Sequence, residues 1–239
     1  MIEGKIAVVT GASAGIGEAI ARDLAARGAR VLLVARRAER LEELARQIGP
    51  HAATLTLDVA LPEAAAQMLD TAIARFGRAD ILINNAGVFG VGALDTFDLD
   101  GLGPMIALNY EAAIRASYVF ARAMKAQGGG AIVNISSIGA NLTSPGSGVY
   151  GGLKRALEIF SDALRLELAG TGVRVGIVAP GSTATEIFDH LPADRRARAS
   201  DGLTPLAPAD VAAAVRFLIE QPDHANVPHL RIYASGQQH

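Results

Sequence analysis

Tyr150 and Lys154 stand four positions apart, the spacing that places two side chains on one face of a helix. Upstream, the apolar run Ile132-Val133-Asn134-Ile135 ends in two hydroxyls, Ser136 and Ser137. A phenol, an ammonium and a serine hydroxyl suit one kind of chemistry. Hydride reduction of a ketone makes an alkoxide, and that alkoxide must gain a proton. Free tyrosine has a pKa of about 10, too high for easy proton sharing near neutrality. An ammonium within reach favours the phenolate and lowers that value. Tyr150 is therefore expected to be the general acid/base, with Lys154 as its activator and Ser137 orienting the substrate oxygen. Leu153 and Leu157 take the buried side of the same helix, leaving the polar pair to a cleft. Gly151 and Gly152 are unusual there, each costing roughly 1 kcal/mol against Ala in a helix. Close backbone packing against a ligand would account for them.

Such chemistry needs a hydride carrier, and the start of the chain offers a place for one. Thr10-Gly11-Ala12-Ser13-Ala14-Gly15-Ile16-Gly17 follows an apolar run and opens a helical pattern. Gly11 permits a sharp turn, Gly15 a close approach to a pyrophosphate, and Gly17 tight packing of the helix on the strand. The helix N-terminus, at Gly15 and Ile16, turns free N–H groups and a positive dipole end toward phosphate. The next strand ends at Ala35, where an acidic residue would bond a ribose 2′-hydroxyl and repel a 2′-phosphate. Arg36, Arg37 and Arg40 follow instead, and guanidinium groups suit a bidentate grip on phosphate. Ser13 is placed to add a hydrogen bond. This favours NADP(H) over NAD(H); the alternative is that the arginines begin a solvated helix.

These residues need a scaffold at whose edge they meet. Seven short apolar runs read as strands: Ile6–Thr10, Val31–Ala35, Thr54–Asp58, Ile81–Asn84, Ala131–Ser136, Val173–Ala179 and Leu230–Tyr233. Near-continuous apolar residues suggest burial on both faces. Between them, apolar residues recur at helical spacing: Ile16, Ile20 and Leu24; Leu41, Leu44 and Ile48; Met68, Ala72, Ile73 and Phe76. A fourth helix is expected near Pro104–Lys125, and a fifth carries Leu153, Leu157, Phe160, Leu164 and Leu168. The alternation predicts an α/β fold: one Rossmann-like domain over residues 1–239, a doubly wound parallel sheet of about seven strands with helices on both faces. The irregular stretch Gly181–Pro208 reads as a substrate lid over residues 182–208. It holds Phe188, Asp189, His190, Leu191, Leu203 and the basic patch Arg195, Arg196 and Arg198, with His190 the one histidine placed to meet substrate.

Composition narrows the classes further. Of 239 residues, 22 are Lys or Arg and 24 are Asp or Glu, a balance that favours neither nucleic acid nor an acidic membrane. There is no cysteine, so disulfides, thiolate nucleophiles and cysteine zinc sites are excluded. No run is long and apolar enough to span a bilayer, and a cytoplasmic location is expected. The five histidines lack metal-ligand spacing, and no G-x-S-x-G elbow supports hydrolase chemistry.

The G-x-x-x-G-x-G turn, Asn84-Asn85-Ala86-Gly87 and the Ser137/Tyr150/Lys154 set together resemble the short-chain dehydrogenase/reductase family, over about residues 5–187. The resemblance implies further roles. Arg36 occupies the position whose basic residue goes with NADP, although Ala14 stands where such enzymes often carry another. Asp58 and Val59 would contact the adenine, with helix capping as the alternative for Asp58. Asn84 would be structural, while Asn85, Ala86 and Gly87 would meet the cofactor ribose. Asn109 would interrupt its helix and hold a water linking Lys154 to solvent. Pro180, Gly181, Thr183 and Thr185 would line the nicotinamide, and Lys154 would also hold its ribose. The family commonly forms tetramers through its fourth and fifth helices, so a homo-oligomer is expected, and the substrate would be a small carbonyl or alcohol. Two other functions stay open: a 3-oxoacyl-carrier reductase, for which the lid arginines would meet an acidic carrier, and a cofactor-sensing protein without catalysis.

Overall fold

The computed structural model describes residues 2–188 and 204–237. Seven parallel strands form one sheet in the order β3-β2-β1-β4-β5-β6-β7. They are β1 (Ile6–Thr10), β2 (Arg30–Ala35), β3 (Ala52–Thr56), β4 (Ile81–Asn84), β5 (Gly130–Ile135), β6 (Val173–Pro180) and β7 (His229–Ile232). The order runs outward from β1 to β3, then returns to start again at β4 on the other side of β1. Such a reversal opens a crevice at the carboxyl ends of β1 and β4, where open α/β sheets bind ligands.

Helices cover both faces. On one lie α1 (Gly15–Ala26), α2 (Ala38–Ile48) and α7 (Pro208–Ile219), whose Ile20, Leu24, Leu41, Leu44, Val211 and Val215 join one core cluster. On the other lie α3 (Ala64–Phe76), α5 (Ala112–Ala126) and α6 (Gly148–Glu167), with Met68, Phe120, Met124 and Leu164 in a second. Val8 and Val9 point into opposite clusters, as the two-residue repeat of a strand requires. The expected sheet, doubly wound with helices on both faces, is thus observed.

Two expectations need correction, and the expected interruption of the fourth helix is observed. The third strand lies two residues earlier than expected, because its last pairing is Thr56 with Ala35 at the end of β2. Asp58 therefore sits beyond the strand. Burial on both faces holds for the inner strands but not for β3 and β7, the two edges, which are half-buried. The fourth helix is not uniform. A short α4 (Leu102–Ile106) passes through a π-helical turn (Ala107–Glu111) into α5, and Asn109 sits in that turn. Of the expected lid, residues 189–203 lie outside the described residues. Asp189, His190, Leu191, Arg195, Arg196, Arg198 and Leu203 fall there. No helix among the described residues is long and apolar enough to cross a membrane.

Candidate active site

A cleft of about 800 Å³ opens at the carboxyl ends of the central strands. Gly11, Ser13, Gly15, Ile16, Arg36, Arg37, Asp58, Val59, Asn85, Ala86, Gly87, Asn109, Ser137, Tyr150, Lys154, Pro180, Gly181, Thr183 and Thr185 all line it. Gly17 does not. A methyl group there would lie 2.3 Å from the Gly11 carbonyl oxygen. Its task is to seat α1 on the turn, the packing role its place in the sequence suggested.

The turn itself is built for close approach. Gly11 and Gly15 have φ of +67° and +57°, a region that favours glycine. Ala14, the residue before α1, is extended and caps nothing with its side chain. The first N–H groups of α1 thus lack a side-chain cap and face the cleft, ready for an anion. Thr10, which sequence reasoning passed over, fixes the turn from below. Its hydroxyl donates to the Ile83 carbonyl (3.1 Å) and accepts from the N–H groups of Asn85 and Ala86 (2.9 and 3.0 Å). The Asn85 amide donates back to the Thr10 carbonyl at 2.9 Å. A threonine at the strand end, just before the first glycine, was the available signal.

At the far edge lie the arginines. Arg36 is largely in water, its side chain 70 % exposed and 3.9 Å from Asp58. Arg37 is the better anchored of the two. Its Nε donates to the Ser13 hydroxyl at 3.0 Å, and a terminal nitrogen donates to Glu186 at 2.8 Å. Arg40 reaches the same carboxylate at 2.7 Å and lies outside the cleft lining. Hydrogen bonds from Arg37 and Arg40 hold the Glu186 carboxyl below the usual range. Glu186 was not singled out from sequence, since it lay in a stretch read only as lid. Asp58 is neither strand end nor helix cap. Its carboxylate accepts from the Ala60 N–H at 3.0 Å, closing a local turn, and α3 starts only at Ala64.

The reaction end is different in kind. Asn109, Lys154 and Tyr150 are buried. The Lys154 ammonium donates to the Ile135 carbonyl at 2.9 Å and lies 5.9 Å from the centre of the Tyr150 ring. Burial lowers its pKa to about 8. Burial also pushes the Tyr150 phenol up to about 12, and a hydrogen bond with Ser137 draws it only partly back. In the free protein, desolvation is the largest influence on Tyr150, and the Lys154 ammonium is held by the Ile135 carbonyl. Phe89, also missed from sequence, packs edge-on against the Tyr150 ring at 4.9 Å.

Asn109 interrupts its helix as expected, and its side chain ties that turn to Val88. Its amide donates to the carbonyls of Val88 (2.9 Å) and Met105 (3.1 Å), and its oxygen accepts from the Val88 N–H (3.3 Å). Gly87 sits between it and the lysine. A methyl there would lie 2.7 Å from the Asn109 oxygen and 3.7 Å from the Lys154 nitrogen. Asn84 is structural as expected, bonded to Asn134 and Ser117. Of the two helical glycines, a methyl at Gly151 would meet the Gly139 carbonyl at 2.7 Å, whereas nothing lies within 4 Å at Gly152. The first glycine brings the Tyr150 helix against the Ser137 turn; nothing in the structure explains the second.

Comparison with known proteins agrees with this geometry. The family model described as short chain dehydrogenase matches residues 5–196. An uncharacterized oxidoreductase of Staphylococcus saprophyticus is 32 % identical over 99 % of this chain and 98 % of its own. A probable NADP-dependent dehydrogenase of Haemophilus influenzae is 34 % identical, covering 97 % and 94 %. Among solved structures, the closed form of a serine dehydrogenase complexed with NADP+ superposes with a TM-score of 0.89 at 32 % identity, covering 95 % of this chain and 94 % of that one. Serine dehydrogenase from Escherichia coli gives 0.81 at the same identity, covering 95 % and 96 %. The chain belongs to the short-chain dehydrogenase family and is an oxidoreductase.

Proposed function

We propose that this oxidoreductase uses NADP(H) to interconvert a carbonyl with a primary or secondary alcohol, with Tyr150 as the general acid/base. The observation that carries the reading is the convergence of Ser137, Tyr150 and Lys154 on one wall of a cleft whose opposite end is the glycine turn. The donor set fits a dinucleotide phosphate. Uncapped N–H groups of α1 face the pyrophosphate position, while Ser13, Arg36 and Arg37 offer polar and cationic groups for a 2′-phosphate. The H. influenzae relative and the serine dehydrogenase structure, both named with NADP, support that choice.

The cofactor, when bound, supplies or accepts the hydride. The chain does the rest. Ser137 donates to the substrate oxygen and orients it. Tyr150 gives its proton to that oxygen in reduction and takes it back in oxidation. Lys154 holds the ribose and adds the local positive charge that a phenolate needs. Phe89, Ile138, Leu142 and Pro145 give the cleft an apolar lining, with Phe89 directly against the Tyr150 ring. Exposed Tyr118, Ile159 and Leu166 on α5 and α6 support assembly into a homo-oligomer through those helices.

One observation favours a narrower substrate class. The serine dehydrogenase likeness covers nearly the whole chain, so small hydroxy acids stand first for a screen. The test follows absorbance at the reduced nicotinamide band. NADPH is mixed with ketones and aldehydes, and NADP+ with serine and other hydroxy acids. Turnover of at least one compound is expected. Tight NADPH binding without any turnover would replace this reading with a cofactor sensor.

A further inference from the structure

We infer that Glu158 is a positioning residue, a buried carboxylate that clamps the Ser137 turn to the helix carrying Tyr150 and Lys154. The inference rests on the roles just given to Ser137 and Tyr150. Glu158 lies one helical turn beyond Lys154 on α6, and its side chain is 1 % exposed. One carboxylate oxygen accepts from the Ser136 hydroxyl at 2.9 Å. The other accepts from the Asn141 amide at 3.2 Å and from Arg155 at 3.1 Å. Arg155 also donates to the Asn141 side-chain oxygen Oδ1 at 3.1 Å, closing the network.

The placement of these donors gives the clamp its meaning. Ser136 stands immediately before Ser137, and Asn141 ends the 3-10 turn (Ile138–Asn141) that Ser137 caps. One carboxylate thus grips both ends of the segment that holds the substrate-orienting hydroxyl. Ser137 is further defined by the Gly139 N–H, which it accepts at 3.1 Å, and Gly139 in turn rests against Gly151. The turn is therefore fixed to α6 at two heights, beside Gly151 and at Glu158, with Lys154 between them in the chain. Burying a carboxylate is costly unless every oxygen is satisfied, and an apolar side chain of similar size often serves stability as well or better. What an apolar side chain could not do is bond residues 136 and 141 at once. Glu158 does not line the cleft, so its effect must pass through Ser137.

The test compares Glu158→Gln in two backgrounds. Gln keeps the shape but presents an N–H group to donors on one side. A misplacement of about 1 Å costs up to ~100-fold in rate, and a partial release should lower kcat about tenfold. NADPH affinity, set at the far end of the cleft, should stay within about twofold. With Ser137→Ala already present, the same change should cost less than about twofold more, because the group it positions is gone. Hydrogen exchange reads the clamp without turnover: the amides of Gly139 and Ala140 should exchange at least about tenfold faster in Glu158→Gln. An equal rate loss in both backgrounds, or unchanged exchange, overturns the inference. Should the variant not fold, exposed Asn141→Ala releases one strut and is held to the same two outcomes. Should the wild type reduce nothing, the proposed function fails, and the exchange measurement still decides the clamp.

Discussion

The two ends of the cleft are built on opposite electrostatic terms. At the phosphate edge, Arg36, Arg37 and Glu186 keep between 45 and 70 % of their side chains exposed, and their ion pairs lie at the surface. At the reaction end, the Lys154 and Glu158 residues are 5 and 1 % exposed, and every charge is met by a fixed partner. Charges in water are screened and exchange partners freely. Charges in the interior shift proton equilibria and lock geometry. One end can thus be retuned by small steps in affinity, whereas the other changes in large steps or not at all.

The largest test of that contrast is Tyr150→Phe. It removes one oxygen from the buried end and should lower kcat by about 10²- to 10⁴-fold, with NADPH affinity by fluorescence titration unchanged within about threefold. Comparable losses in both would merge the two ends into one unit.

Next comes Lys154→Met in the free protein. The folded pKa of about 8 lies below the unfolded 10.5. Between those values the unfolded chain holds more protons, so the burden of the buried ammonium is relieved as pH rises. Its full size is about 3 kcal/mol, less roughly 1 for the lost bond to Ile135. Lys154→Met should therefore be the more stable below pH 8, and thermal midpoints of the two proteins should draw together toward pH 10. A gap independent of pH would mean the charge is not desolvated.

Arg37→Ala probes the exposed end. NADPH should bind about tenfold more weakly and NADH almost unchanged, as expected for loss of a charge-assisted hydrogen bond. The difference should shrink as salt rises. Arg36→Ala, at the more exposed site, should do less; the reverse ranking would return the leading role to Arg36.

The smallest effects come from the paired glycines, measured by urea unfolding. Gly152→Ala meets open space and should stabilise by about 0.5–1 kcal/mol. Gly151→Ala meets the Gly139 carbonyl at 2.7 Å and should destabilise while lowering kcat.

The sheet was legible because inner strands are buried on both faces and so read as apolar runs. The error at the third strand has the same cause in reverse. An edge strand is half-exposed, and its Thr54, Leu55 and Thr56 offer no clean end. The cleft residues were legible wherever spacing demanded a role, as for Gly11, Gly15, Tyr150 and Lys154. Residues acting across long separations were not. Nothing local joins Arg37 to Glu186, or marks Thr10 as the peg beneath Asn85. The direction of the Tyr150 shift was also beyond sequence, because i, i+4 spacing places a lysine nearby but does not say how deeply the phenol is buried.

Asn84 and Asn134 face each other in register on β4 and β5, their amides 2.8 Å apart. Asn84 also bonds Ser117 on α5, and Asn134 bonds Ser161 on α6, all inside the core. A slip of one residue would turn these amides to the wrong face and strand several buried dipoles, each at a cost of about 1–3 kcal/mol. Apolar neighbours would forgive that slip far more readily. The polar chain therefore specifies the register of β4 against β5. It penalises any alignment but the one that pairs Asn84 with Asn134, and so sets the relative heights at which Asn85 and Ser137 reach the cleft.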